Sequence, residues 1–159
     1  MTNNDILRRL RYTFDINDDR MILLFAQGGK IVTRAEISSW MKKDDDEDYK
    51  ALTDFDFSTF LNGFIIEKRG KKDGADPVPE KHLNNNIIFR KLKIALNYTD
   101  DIILEIFDRA ELRISKGELS ALFRHPDHKH FRPCKDQFLR NFLMGLQLKL
   151  KGSKEDDRQ

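Results

Sequence analysis

"NNIIFRKLKIAL", residues 85–96, repeats the pattern of "NNDILRRLRYTF", residues 3–14, at a shift of 82 positions. The register then runs without a gap to Gly70 and Gly152. Asn3/Asn85, Asn4/Asn86, Arg8/Arg90, Asp18/Asp100, Glu36/Glu118, Phe60/Phe142 and Gly63/Gly145 are among the identities, and about a quarter of the aligned positions agree. One register held through charged, apolar and glycine positions alike marks a tandem duplication rather than chance similarity of two helices.

Hydrophobic periodicity within each copy predicts four helices and no strand. In the first helix Ile6, Leu7, Leu10 and Phe14 share a face, as do Ile88, Phe89, Leu92 and Leu96. The second follows Asp18-Asp19 or Asp100-Asp101, carboxylates that favour a helix N-terminus. Gly28-Gly29 marks its end in the first copy, whereas Ala110-Glu111 carries no such signal, so the ends are expected to differ. Thr33-Arg-Ala-Glu36 and Ser115-Lys-Gly-Glu118 fit the capping box, in which hydroxyl and carboxylate each satisfy a free backbone N–H. The fourth helix is the most apolar, with Phe57, Phe60, Leu61 and Phe64 matched by Leu139, Phe142, Leu143 and Leu146. Gly63 and Gly145, at one register inside it, point to a close helix contact.

The expected fold is therefore all-α: two tandem four-helix repeats, residues 1–70 and 85–152, packed together with approximate internal two-fold symmetry. "GKKDGADPVPEKHLNN" combines glycine, proline and charge, so residues 71–84 read as an exposed linker. Residues 153–159 read as a polar tail. A repeat of 68 residues has a high surface-to-volume ratio, which is why the copies are expected to share apolar surface.

The chain has 159 residues, 39% hydrophobic and 35% charged, with no apolar run near the roughly 20 residues of a membrane span. No secretory signal pattern opens it. Its single cysteine, Cys134, excludes an intramolecular disulfide, and a cytoplasmic setting with no membrane association is expected. "MTNNDILRRLRY", "TRAEISSWMKK" and "FLNGFIIEKRGK" together resemble the YehS-like family of uncharacterised bacterial proteins, over nearly the whole chain. The resemblance implies a small cytosolic protein with a repeated domain and carries no site residues with it.

Three clusters bear on chemistry. Asp44, Asp46 and Asp48 imitate the opening of a calcium loop, but Tyr49 and Phe55 stand where glycine and glutamate are needed, leaving a solvated acidic turn. The matched loop of the second copy holds His125, His128, His130 and Cys134, which are zinc-type ligands without finger spacing. Surface histidines are the expected reading, with no metal or cofactor. The third cluster is basic: Arg8, Arg9 and Arg11 on the first helix, with Arg90, Lys91 and Lys93 on its copy. Arg8 falls away from the apolar stripe, where it would reach phosphate, and Tyr12 and Ile94 place apolar groups on the same outer side. Arg34/Lys116 and Lys42/Arg124 also keep basic charge in both copies.

Net charge is +2; residues 1–82 carry 14 basic and 16 acidic side chains, and the remainder 15 and 11. A nucleic-acid footprint would then be local and stronger in the second copy. With no P-loop, dinucleotide-binding glycine pattern or nucleophile elbow, an enzyme is the least supported class. The favoured reading is a non-enzymatic regulatory or nucleic-acid-binding helical protein, with the six basic residues as contacts. A protein-interaction or scaffold module is the alternative.

Overall fold

Thr33 and Ser115 both close the expected capping boxes, each hydroxyl accepting from the Glu N–H three residues on while that glutamate accepts from the cap's own N–H. The structure is a computed structural model and describes residues 1–71, 74 and 76–152. Over these residues the fold is all-helical. The elements are α1 (Asn3–Thr13), α2 (Asp18–Gln27), α3 (Arg34–Met41), α4 (Asp54–Arg69), α5 (Asn85–Leu96), α6 (Asp100–Arg109), α7 (Lys116–Phe123) and α8 (Asp136–Lys151). Side-chain caps start most of them: Thr2 for α1, Asn17 for α2, Thr53 for α4 and Thr99 for α6. Asn84 accepts from the Ile87 N–H at the start of α5. Lys135, ahead of α8, supplies no side-chain cap.

The described residues form two compact units, those of Met1–Leu83 with Ile94–Leu96, and Asn84–Lys93 with those from Asn97 to Gly152. In the first, Phe57, Phe60 and Phe64 stack along α4 at 6.2 Å intervals, and Phe60 meets Phe25 of α2 at 5.4 Å. Trp40 stacks on Phe25 at 5.2 Å. In the second, Phe142 of α8 lies 4.7 Å from Phe89 and 5.9 Å from Phe107. Phe60 and Phe142 occupy the same register and are both completely buried, so each fourth helix is its unit's central element.

Glycine sets how closely those helices approach. A Cβ on Gly63 would stand 1.7 Å from the Leu24 carbonyl oxygen, and one on Gly145 would stand 1.9 Å from that of Ile106. The two contacts are equivalent in register, and any side chain at either position would push α4 off α2, or α8 off α6. Gly28 also abuts α4 through the Thr59 carbonyl, but Ala110 takes the matched place in the second unit, so only one glycine contact is shared.

The ends of α2 and α6 do not differ as expected: Gln27 and Arg109 are equivalent positions. Glu111 adopts the left-handed conformation, φ 61°, that Gly29 adopts at φ 101°. The same main-chain bonds close both turns, from Lys30 to Phe25 O and from Leu112 to Phe107 O. Tertiary constraint at this turn outweighs the absence of glycine. Between the units, Val78 is exposed but the following segment is fastened to α4: Ser58 donates to the Glu80 carboxylate, the Glu80 N–H donates back to Ser58, and the Leu83 N–H donates to Asp54 at 3.0 Å. Lys72, Asp73 and Ala75 of the expected linker, and the expected tail 153–159, lie outside the described residues.

Candidate functional site

The "NN" doublet that opens both repeats turns out to be a structural device. Asn4 is buried, and its amide donates to the carbonyls of Trp40 and Lys50 at 3.0 and 2.8 Å while its oxygen accepts from Leu52 N and Tyr49 Oη. Asn86 does the same 82 positions on, donating to Leu122 and Arg132 and accepting from Cys134 N. Asn3 and Asn85 add bonds to the carbonyl and carboxylate that precede and open the fourth helix, Leu52 with Asp54 and Cys134 with Asp136. Each pair thereby nails the loop between the third and fourth helices onto the first helix.

That loop repeats its turn with different chemistry. Asp46 accepts from the Asp48 N–H at 2.8 Å, and at the same register His128 Nδ1 accepts from the His130 N–H at 3.0 Å. His125 Nδ1 likewise accepts from Asp127 N. His128 thus replaces Asp46 as the turn acceptor, and His125, at the register of Lys43, adds a second one. Among the described residues no group of His, Cys, Asp or Glu is placed to hold a metal. Cys134 is buried, and burial first, then the Asp136 charge, pushes its thiol up to about 12, far from a thiolate at neutral pH.

The six predicted basic residues are drawn into the fold. Arg8 is partly buried: its guanidinium crosses the end of α3, donating to Lys42 O at 2.7 Å and pairing with Asp5. Arg90 donates to Phe123 O at 3.0 Å in the same manner. Arg11 pairs with Asp18 at 2.7 Å, and its counterpart Lys93 pairs with Asp100 at 3.2 Å while lying 4.3 Å from the Phe123 ring centroid. Arg34–Asp19 and Lys116–Asp101 form another matched pair. Arg9 and Lys91 are half-buried and have interactions of their own. Tyr12 and Ile94 remain about half exposed, at 51% and 44%. Arg8, Arg11, Tyr12 and Lys42, with Ile16 and Met41, line one open groove of roughly 790 Å³ on the first unit.

A second concavity occurs at the same place in both units, between the third helix and the loop after it. In the first unit Ser39, Lys42, Glu47, Asp48, Tyr49 and Lys50 line it; in the second, Gly117, Glu118, Ala121, Arg124, His130 and Arg132. Lys42/Arg124 and Lys50/Arg132 are register equivalents, basic both times. Sequence reading did not single out Lys50 and Arg132 because they sit in a loop with no periodicity. The signal was available in the 82-residue register.

Comparison with known proteins agrees with this duplicated architecture. A family model described as a protein of unknown function (DUF1456) matches twice, over residues 3–70 and 85–152. The chain is 44% identical to the uncharacterized protein YehS of Escherichia coli (strain K12) over 147 residues, covering 92% of this chain and 94% of the relative. No solved structure matches.

Proposed function

The chain belongs to this DUF1456 family, whose domain it carries twice, and we propose, from its own surface, that it is a non-enzymatic, regulatory nucleic-acid-binding helical protein. The observation that supports this reading best is the open groove of the first unit, which Arg8, Arg11 and Lys42 line together with the half-exposed Tyr12. Cations suit a phosphate backbone and an exposed ring suits an unstacked base, which is the combination single-stranded nucleic acid requires. Arg8 is already bonded to Lys42 O and Asp5, yet a guanidinium has five N–H donors and keeps some for a phosphate. Asp15 and Asp18 on the same wall reduce the field, so the binding should be modest and salt-sensitive.

Fluorescence anisotropy with single-stranded DNA, RNA and duplex DNA, beside a charge-matched control protein, tests it. Single strands should bind more tightly than duplex, more weakly as salt rises, and Tyr12→Ala should lose about 1–3 kcal/mol. Binding no tighter than the control overturns the reading. The apolar side chains of the same groove, Tyr12, Ile16 and Met41, favour a protein-interaction module as the second reading. That module would bind a polypeptide with little dependence on salt.

A further inference from the structure

The concavity shared by both units differs from the first-helix cluster in one respect. Arg8, Arg11, Arg90 and Lys93 are bonded within the fold, whereas the side chains of Lys42, Lys50, Arg124 and Arg132 make no hydrogen bond or ion pair among the described residues. The backbones of Lys50 and Arg132, by contrast, are held fast. Arg132 N donates to Ala121 O at 3.0 Å and Arg132 O accepts from the buried Asn86 at 2.9 Å. Lys50 is gripped identically, its N–H on Ser39 O at 3.2 Å and its carbonyl on Asn4 at 2.8 Å. Arg124 and Lys42 are the C-cap residues of α7 and α3. A helix end and a fastened loop position thus bring two cations to the lining of one small cleft, and the arrangement is made twice.

The balance of charge separates the copies. In the second unit Glu118 is the only carboxylate lining the cleft. It bonds the Ser115 N–H and hydroxyl, first among the causes that hold it below the usual carboxylate range, with the Arg132 charge a lesser contribution. Arg124 and Arg132 outnumber it, and His130 lines the same cleft. In the first unit Glu47 and Asp48 balance Lys42 and Lys50. Guanidinium groups also match phosphate oxygens bidentately, which an ammonium cannot.

We infer that the cleft between α7 and the α7–α8 loop is a phosphate-binding site clamped by Arg124 and Arg132, with a weaker copy at Lys42 and Lys50. This deepens the nucleic-acid reading, since a backbone phosphate is one source of the ligand; a free polyphosphate is the other.

The test is NMR of the arginine Nε–Hε signals of the full chain, titrated with tripolyphosphate at physiological salt. Arg124 and Arg132 should shift together and saturate, and Arg132→Gln should weaken binding by about tenfold or more. Arg132→Lys should retain part of the affinity, because the first unit carries lysine at that place. The fold should survive these changes, since only the Arg132 main chain takes part in the loop network. Shifts that stay linear, or that spread equally to Arg109, Arg113 and Arg140, overturn the site. A single-stranded oligonucleotide forms the second arm. Saturation by tripolyphosphate without oligonucleotide binding keeps the site and removes the nucleic-acid reading. Oligonucleotide binding that is indifferent to Arg132→Gln keeps the reading and removes the site.

Discussion

Asn4 and Asn86 each satisfy three or four hydrogen-bonding groups that would otherwise be stranded beneath a loop. Removing such a side chain leaves carbonyls and an N–H buried without partners, at about 1–3 kcal/mol apiece before water relieves some of them. Asn86→Ala should therefore lose about 2–4 kcal/mol in chemical denaturation, and Asn86→Asp should fare no better, because a carboxylate cannot donate to Leu122 O and Arg132 O. A loss below about 0.5 kcal/mol would show that the loop does not depend on the staple. Thr13 gives the opposite case. Its hydroxyl oxygen is buried with no hydrogen-bond partner among the described residues, and the second repeat has buried Ala95 at that register. Thr13→Val keeps the shape and removes the orphaned group, so stability should stay level or rise by up to about 1 kcal/mol. A lower denaturation midpoint would mean that the hydroxyl is satisfied after all. The asparagines were visible in the sequence only as identities. Their role was not, because the partners lie 36 to 48 residues away and are mostly backbone atoms, which no side-chain pattern reports.

At the scale of the element, the fourth helices depend on a missing methyl group. The Cβ that alanine would add at Gly63 or Gly145 collides with a carbonyl oxygen of the opposing helix, and a backbone cannot swing aside as a flexible side chain does. Gly63→Ala and Gly145→Ala should each lose about 3 kcal/mol or more, beyond the small gain in helix propensity. Trp40, the one tryptophan, stacks on Phe25 in the first unit, so its fluorescence follows Gly63→Ala directly, while far-UV circular dichroism follows Gly145→Ala. Unchanged midpoints would mean the helices can separate at little cost. Here the sequence was readable in advance, since apolar spacing, two capping boxes and a glycine at one register are local signals. What periodicity could not report was a partner on another element and the turn that ends a helix. Arg8 lies off the apolar stripe, yet α3 ends beside it and accepts one of its hydrogen bonds through Lys42 O. Glu111 accepts a left-handed turn that glycine would have announced.

For the whole molecule, duplication means that any weak contact is offered twice, and charge decides which copy contributes more. Residues 1–82 carry 14 basic against 16 acidic side chains, the remainder 15 against 11. The second unit should therefore dominate attraction to a polyanion while the first adds a contact that matters once the strand is already held. On a long single strand the second attachment becomes intramolecular, so neutralising both clefts should lose more affinity than either loss predicts for a short strand. The variants are Lys42→Gln with Lys50→Gln, Arg124→Gln with Arg132→Gln, and all four together. Each phosphate contact removed should flatten the dependence of log K on log salt by about 0.7 for single strands. The arginine pair should flatten it more than the lysine pair, and the fourfold variant most of all. Equal slopes in all variants would assign the electrostatic contact elsewhere, to Arg8 and Arg11 rather than to Lys42, which lines both the groove and the cleft. Equal losses on long and short strands would show that only one unit engages at a time.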